Sequence, residues 1–366
     1  MCYFRAVSLG IESNTNSESI FSWMFRKKES LEQVAFFFVS QLNANNARYS
    51  PLFEFTKDIR IVYLKGWKVK YSDTILLLFF KLIPFIFSRK IQKYNILHTF
   101  SIASWPKTKK QILHVDDPLY TISENFALRK WEMQLTKKNS QQVLICTNQF
   151  TYSWFKNILP KTKIIIVEQG YYSAKPKKYR RKPEYFSCVY SSPYIHFGSD
   201  LHGSHSTWGA GTLVKDLIPK LSRLDPSIKI HLVGEIGKNA LRELRTYSNW
   251  ESYGRVDHFE NQEIISKCDI GIYPRFFDHR RSILKVYSYI GAGLPVVTFD
   301  LVDTSIIKKY QLGPTVSNID DFVKSIVELK NSPELMEFYK KNIDKIKANF
   351  NWTNLALKME TEIRSL

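Results

Sequence analysis

Residues 280–300 read RRSILKVYSYIGAGLPVVTFD, and this stretch decides the fold. The alternation of residue classes predicts a loop from Phe276 to Ser282, a helix from about Ile283 to Ala292 and a buried strand from Leu294 to Phe299. Gly293 suits the position just past a helix, where a left-handed backbone is needed, and Pro295 cannot extend that helix. Together these make one helix-to-strand unit of an α/β sheet. Arg280, Arg281 and Lys285 stand at the other end, the helix start, where backbone amides lack partners and the dipole is already positive. Solvated surface cations are disfavoured at such a place, whereas a phosphate docked there would need them.

Outward from this unit, the second half carries more β-branched and aromatic runs: YIHFGS from Tyr194, IKIHLVGEIG from Ile228, YGRV from Tyr253 and DIGIYP from Asp269. Helices fit at Thr212 to Arg223 and Asn261 to Lys267, and the chain from Pro333 reads as two helices. The first half repeats the texture, with YFRAVSL from Tyr3, RIVYL from Arg60, NILHTF from Asn95, QILHV from Gln111, QVLICT from Gln142 and KIIIVEQG from Lys163. Helix-competent stretches there include Glu29 to Leu42 and Ser123 to Lys138. Strands alternating with helices predict two parallel α/β domains of Rossmann type. Residues 1–172 form the first, a basic, proline-bearing linker covers 173–185, residues 186–345 form the second, and 346–366 is a closing helix. Ligands of such sheets bind beyond the carboxyl ends of the strands.

The balance of 53 Lys+Arg against 34 Asp+Glu gives a net charge of +19 and a preference for anionic partners. Cys2, Cys146, Cys188 and Cys268 are scattered without zinc spacing, as reduced cytosolic thiols would be, and no secretory signal is read at the N-terminus. The apolar run from Ile75 to Lys90 is interrupted by Lys81 and Pro84 and is too short for a span of roughly 20 residues. It reads as a core helix, or as an in-plane contact with an anionic membrane.

The landmarks of the second half, IHLVGEIG, YGRV, CDIGIYP and LKVYSYIGAGLPVV in that order, resemble the C-terminal domain of GT-B glycosyltransferases of the group 1, family 4 type. NFNW at Asn349 resembles the closing helix of that family, and YNILHTF, ILHVDDPLYT and KIIIVEQGYYSA resemble its N-terminal landmarks more weakly. The resemblance implies an α/β, GT-B fold: two Rossmann-like domains facing each other across a cleft, with a C-terminal helix crossing back. It also implies a cytoplasmic transferase that needs no metal and no cofactor beyond its substrate, a nucleotide-diphosphate sugar, with a lipid-linked or saccharide acceptor.

On this resemblance Lys285, Arg280 and Arg281 bind the donor phosphates, with Gly198 and Ser199 offering backbone amides and Gly209 and Gly211 glycine turns nearby. Gly234, Glu235, Arg255, Val256 and Ser288 fall at the base and ribose positions. His114 aligns with a histidine near the transferred sugar, and Asp116 or Asp117 would be the general base of an inverting enzyme. The pair of glutamates that the family spaces before Gly-x-Pro falls on Arg280 and Ser288, neither of them acidic. Two other readings stand beside this one: a catalytically inactive scaffold with the same fold, and a basic nucleic-acid-binding protein, though the cations are dispersed and no helix-turn-helix or RNP pattern is present.

Overall fold

The computed structural model describes residues 4–7, 33–37, 60–63, 66–69, 96–99, 110–115, 143–171, 185–197, 209–276 and 283–365, with Lys130, Met133 and Gln134 helical between them. The chain divides into two units, one gathering Met1–Glu168 and Leu355–Leu366, the other Gln169–His279 and Ile283–Asn354.

In the first unit, β1 (Phe4–Val7) pairs antiparallel with β4 (Gly66–Val69) as a separate ribbon. The main sheet is wholly parallel and takes β2 (Gln33–Phe37), β3 (Arg60–Tyr63), β5 (Ile96–Thr99), β6 (Lys110–Val115), β7 (Val143–Cys146) and β8 (Lys163–Ile166) in the order β3-β2-β5-β6-β7-β8. Strand β2 corrects the helix expected over Glu29 to Leu42. Its core, QVAFF, is a β-branched and aromatic run, which favours a pleated surface over a helix. Of its helices, α1 (Gln149–Ile158) starts at Asn148, whose side chain accepts from the Thr151 amide, and packs Phe155 on Leu144 and Cys146.

The second unit holds β9 (Ser187–Ile195), β10 (Lys229–Ile236), β11 (Trp250–Gly254), β12 (Ile270–Tyr273), β13 (Val296–Phe299) and β14 (Thr315–Val316). All pair parallel, in the order β11-β10-β9-β12-β13-β14. Numbered within the unit this is 3-2-1-4-5-6, the dinucleotide-fold order, whose ligand crevice opens where the winding reverses, between β9 and β12. The helices run from α2, which passes without a break through Ala210–Thr212, a π turn at Leu213–Leu217 and Ile218–Leu224. There follow α3 (Lys238–Leu244), α4 (His258–Ser266), α5 (Leu284–Gly291), α6 (Ser305–Tyr310), α7 (Ile319–Asn331), α8 (Pro333–Ile346) and α9 (Trp352–Arg364). Two buried clusters flank the sheet. Leu213, Leu217, Leu221, Phe322 and Ile326 cover one face, and Ile265, Val286, Tyr289, Ile290 and Ile307 the other. The residues of α9 from Leu355 onward belong to the first unit.

Strand β9 starts at Ser187, earlier than the expected Tyr194; polar Ser191 and Ser192 and then Pro193 interrupt its apolar pattern and mask that start in the sequence. The irregularity is a bulge: Val233 pairs with Ser191 but Glu235 with Tyr194, so β9 spends one extra residue. Pro is tolerated at such a point. At the start of the same strand the buried Asp269 carboxylate accepts from the Ser187 amide at 2.8 Å and its hydroxyl at 2.7 Å, tying β9 to β12 beneath the crevice. Asp269→Ala leaves both donors without that acceptor and should cost about 2–4 kcal/mol, measurable by chemical denaturation.

Candidate functional site

The opening stretch folds as expected. Helix α5 spans Leu284–Gly291, β13 spans Val296–Phe299, and Gly293 takes φ 77°. Gly291 is bare for a different reason. A Cβ there would run into the ring of Tyr171, which lies against it. The start of α5 has Ile283 as its N-cap, with no capping side chain among the described residues and no acid in the first turn.

Lys285 is not a solvated surface cation. Its Nζ is buried and has no hydrogen-bond partner among the described residues. It lies 4.6 Å from the ring centroid of Tyr190 on β9 and 5.3 Å from that of Tyr273 on β12, one ring from each strand flanking the switch point. Burial, and secondarily the guanidinium of Arg275, push the ammonium down to about 7. Burial likewise pushes the Tyr190 phenol up.

Arg275 was not singled out by the sequence reading. It follows β12 and Pro274, is 6% exposed, and donates from Nη1 to the Tyr273 hydroxyl at 3.0 Å. Gly209, at φ 87°, caps α2, and a Cβ on it would come within 2.9 Å of the Pro274 oxygen and 3.0 Å of the Arg275 nitrogen. The starts of α2 and α5 and the end of β12 therefore meet around two cations. Tyr289, on α5, accepts from the Ser191 amide at 3.0 Å and fixes the helix on β9, while Gln262 of α4 donates to the Ser288 carbonyl at 2.9 Å.

At the far edge of the same sheet, Gly234 sits opposite the β9 bulge at φ 139°, where a Cβ would collide with the Ser192 carbonyl oxygen. The exposed Glu235 follows, in register with Tyr194. The Arg255 guanidinium lies 5.3 Å over the Tyr194 ring, so Glu235, Tyr194 and Arg255 gather at the carboxyl ends of β9, β10 and β11. Strand β11 ends at Gly254, which puts Arg255 and the half-buried Val256 just beyond it. The Ser288 hydroxyl donates to the Leu284 carbonyl of its own helix at 3.4 Å. His114 is the penultimate residue of β6, paired with Ile145. Asp116, Asp117, Gly198, Ser199, Arg280, Arg281, the linker at 173–184 and the Ile75 to Lys90 segment lie outside the described residues. Among the described residues, no three His, Cys, Asp or Glu side chains gather as a metal set, and no helix is long and apolar enough to cross a membrane.

No protein-family profile and no curated protein matches the chain. Solved structures do. WaaG, a glycosyltransferase involved in lipopolysaccharide biosynthesis, superposes with a TM-score of 0.64 at 11% identity, over 89% of this chain and 98% of that one. Sucrose-phosphate synthase from Thermosynechococcus elongatus gives 0.65 at 13% identity, over 91% and 98%. Anabaena HepE, solved with UDP and glucose, gives 0.63 at 11% identity, over 92% and 100%. The chain has the GT-B fold, built on two Rossmann-like α/β domains.

Proposed function

We propose that this protein is a glycosyltransferase that moves a sugar from a nucleotide-diphosphate donor to a lipid-linked or saccharide acceptor in surface-glycan synthesis. One observation carries the reading: the buried Lys285 amine at the start of α5, without a hydrogen-bond partner among the described residues and set between the two strands of the switch point. Breaking the anomeric bond throws negative charge onto the leaving diphosphate. A cation and helix-start amides fixed beforehand stabilise that charge without reorganising. WaaG, involved in lipopolysaccharide biosynthesis, and HepE, solved with UDP and glucose, share the fold and support the choice of reaction and donor class.

In this reading Lys285, Arg280 and Arg281 hold the phosphates with Gly198 and Ser199, and Gly234, Glu235, Arg255, Val256 and Ser288 line the base and ribose end. His114, Asp116 and Asp117 serve the acceptor side. The net charge of +19 favours work at the negatively charged inner face of a membrane, in the cytoplasm. With the phosphate charge met by side chains and amides, no metal is needed, and turnover is expected to be unchanged by EDTA. Thermal-shift screening against nucleotides and nucleotide sugars tests the whole: a donor nucleotide should raise the melting temperature by mass action, and its sugar conjugate should be consumed. A melting curve unmoved by any nucleotide would return the chain to the scaffold reading.

A further inference from the structure

We propose that Tyr190 and Tyr273 form an aromatic cage that positions the Lys285 ammonium for the donor phosphates, holding its charge by their ring faces so that its N–H donors stay free for a nucleoside diphosphate. This rests on the glycosyltransferase reading and deepens it, by naming two positioning residues behind the phosphate ligand.

The cage stands where the sheet opens. Among the described residues β9 and β12 pair at Cys188 with Ile270 and at Val189 with Gly271, and no further. Past that level β9 stays with β10, Tyr190 opposite Leu232, while β12 stays with β13, Tyr273 opposite Thr298. The two rings belong to opposite faces of the sheet, Tyr190 to the cluster of Leu213 and Leu217, Tyr273 to that of Val286 and Tyr289. Lys285 enters the notch between them. Its Nζ lies 4.6 Å from one ring centroid and 5.3 Å from the other, both inside the distance of about 6 Å at which a ring face attracts a cation. With Tyr190 0% and Tyr273 2% exposed, little water is left to screen that attraction.

The contact is made by the faces. The Lys285 Nζ has no hydrogen bond to either phenol oxygen or to any other described residue. The Tyr273 hydroxyl is engaged instead by Arg275 Nη1 at 3.0 Å. The other ionisable groups around Lys285 are Arg275 itself, a like charge from the turn after β12, and Tyr289 of its own helix, whose hydroxyl accepts from the Ser191 amide. A carboxylate in place of the rings would fix the ammonium as well, but it would cancel the charge and occupy donors that the phosphate needs. A ring face attracts the charge and neutralises nothing. The cation is thereby kept in place before the anomeric bond breaks, which is what stabilisation of a leaving diphosphate requires.

The test alters the charge of one face and leaves its shape. Tyr190→Phe keeps an electron-rich ring, whereas Tyr190→trifluorophenylalanine, installed in the whole protein by codon suppression, keeps the ring and strips its face of most of its negative charge. Only the ammonium feels the difference. The fluorinated protein should therefore lose about 2–4 °C more of its melting temperature between pH 10 and pH 6 than Tyr190→Phe does. That excess should vanish when Lys285→Met is added to both. A purely packing role would shift the two pH values alike. Calorimetry of UDP, GDP and ADP at pH 7.5 then reads the positioning: the nucleotide that binds should bind the fluorinated protein about five- to tenfold more weakly than Tyr190→Phe. No excess, an excess that survives Lys285→Met, or equal nucleotide affinities would each overturn the cage and leave the transferase reading intact. If none of the three nucleotides binds even the wild-type protein, the transferase reading falls and the positioning role falls with it.

Discussion

Replacing Lys285 by methionine is expected to slow sugar transfer severely and at the same time to make the protein harder to unfold. Loss of one preorganised cation at the leaving phosphate should lower kcat by about 10²–10³, as removal of a single oxyanion donor does elsewhere. The gain in stability follows from burial. In the unfolded chain Lys285 titrates near its ordinary 10.5, while in the fold it is pushed down to about 7. Above about pH 10 both states hold the neutral amine and there is no penalty. As pH falls towards 7 the unfolded state binds a proton that the folded state refuses, and below 7 the fold carries a buried ammonium at full cost. Wild-type stability therefore falls as pH drops through this window, and Lys285→Met removes that fall. Its melting temperature should exceed that of wild type by on the order of 5 °C at pH 6 and converge on it near pH 10, a difference read from paired scans. Equal melting temperatures at pH 6 would show that Nζ reaches water in the folded state. The trade of stability for a charged group at a working site is a common one.

The second large effect lies in the backbone. Gly234→Ala puts a Cβ into the Ser192 carbonyl oxygen at a φ of 139°, a region closed to other residues. Neither side can yield, because Ser192 belongs to the β9 bulge and its neighbour Pro193 fixes the chain there. The expected cost is more than about 4 kcal/mol, enough to unfold the second unit at 37 °C. Gly211→Ala is the matched control. It lies in α2 with open space around its Cβ position and should stabilise the helix by about 0.5–1 kcal/mol. Circular dichroism melts of the two variants should diverge in sign.

The parts of this architecture that the sequence displays are those written in local code. The Gly293-Leu294-Pro295 punctuation, the apolar period of α5 and the continuous runs of β10, β12 and β13 are each decided by neighbours within a few residues. Gln33–Phe37 was misread because its flanks look helical and its aromatic core makes sense only between two parallel neighbours, β3 and β5. The start of β9 is hidden by Pro193, which sits at the bulge, where the Ser192 carbonyl comes against Gly234 of the partner strand. Lys285 was legible from its place before the glycine turn. Arg275 was not, since a cation two residues past a strand looks solvated until the α2 start and Tyr273 close over it. Tyr194 escaped for a similar reason: its partner, Arg255, arrives from another strand.

The closing helix carries a consequence for biosynthesis. Strand β8 lies at the edge of its sheet among the described strands, and α9 reaches it there: Lys358 donates to the Ile166 carbonyl, and Glu362 pairs with Lys163 at 3.0 Å. Lys358 follows Ile166 by 192 residues. A ribosome that emits about 5–20 residues per second thus leaves these α9 contacts unmade for roughly 10–40 s while the second unit is being made. During that interval an open strand flank can pair with other nascent chains. Heterologous yield should accordingly depend on translation speed through the second half, more than on the stability of the finished molecule.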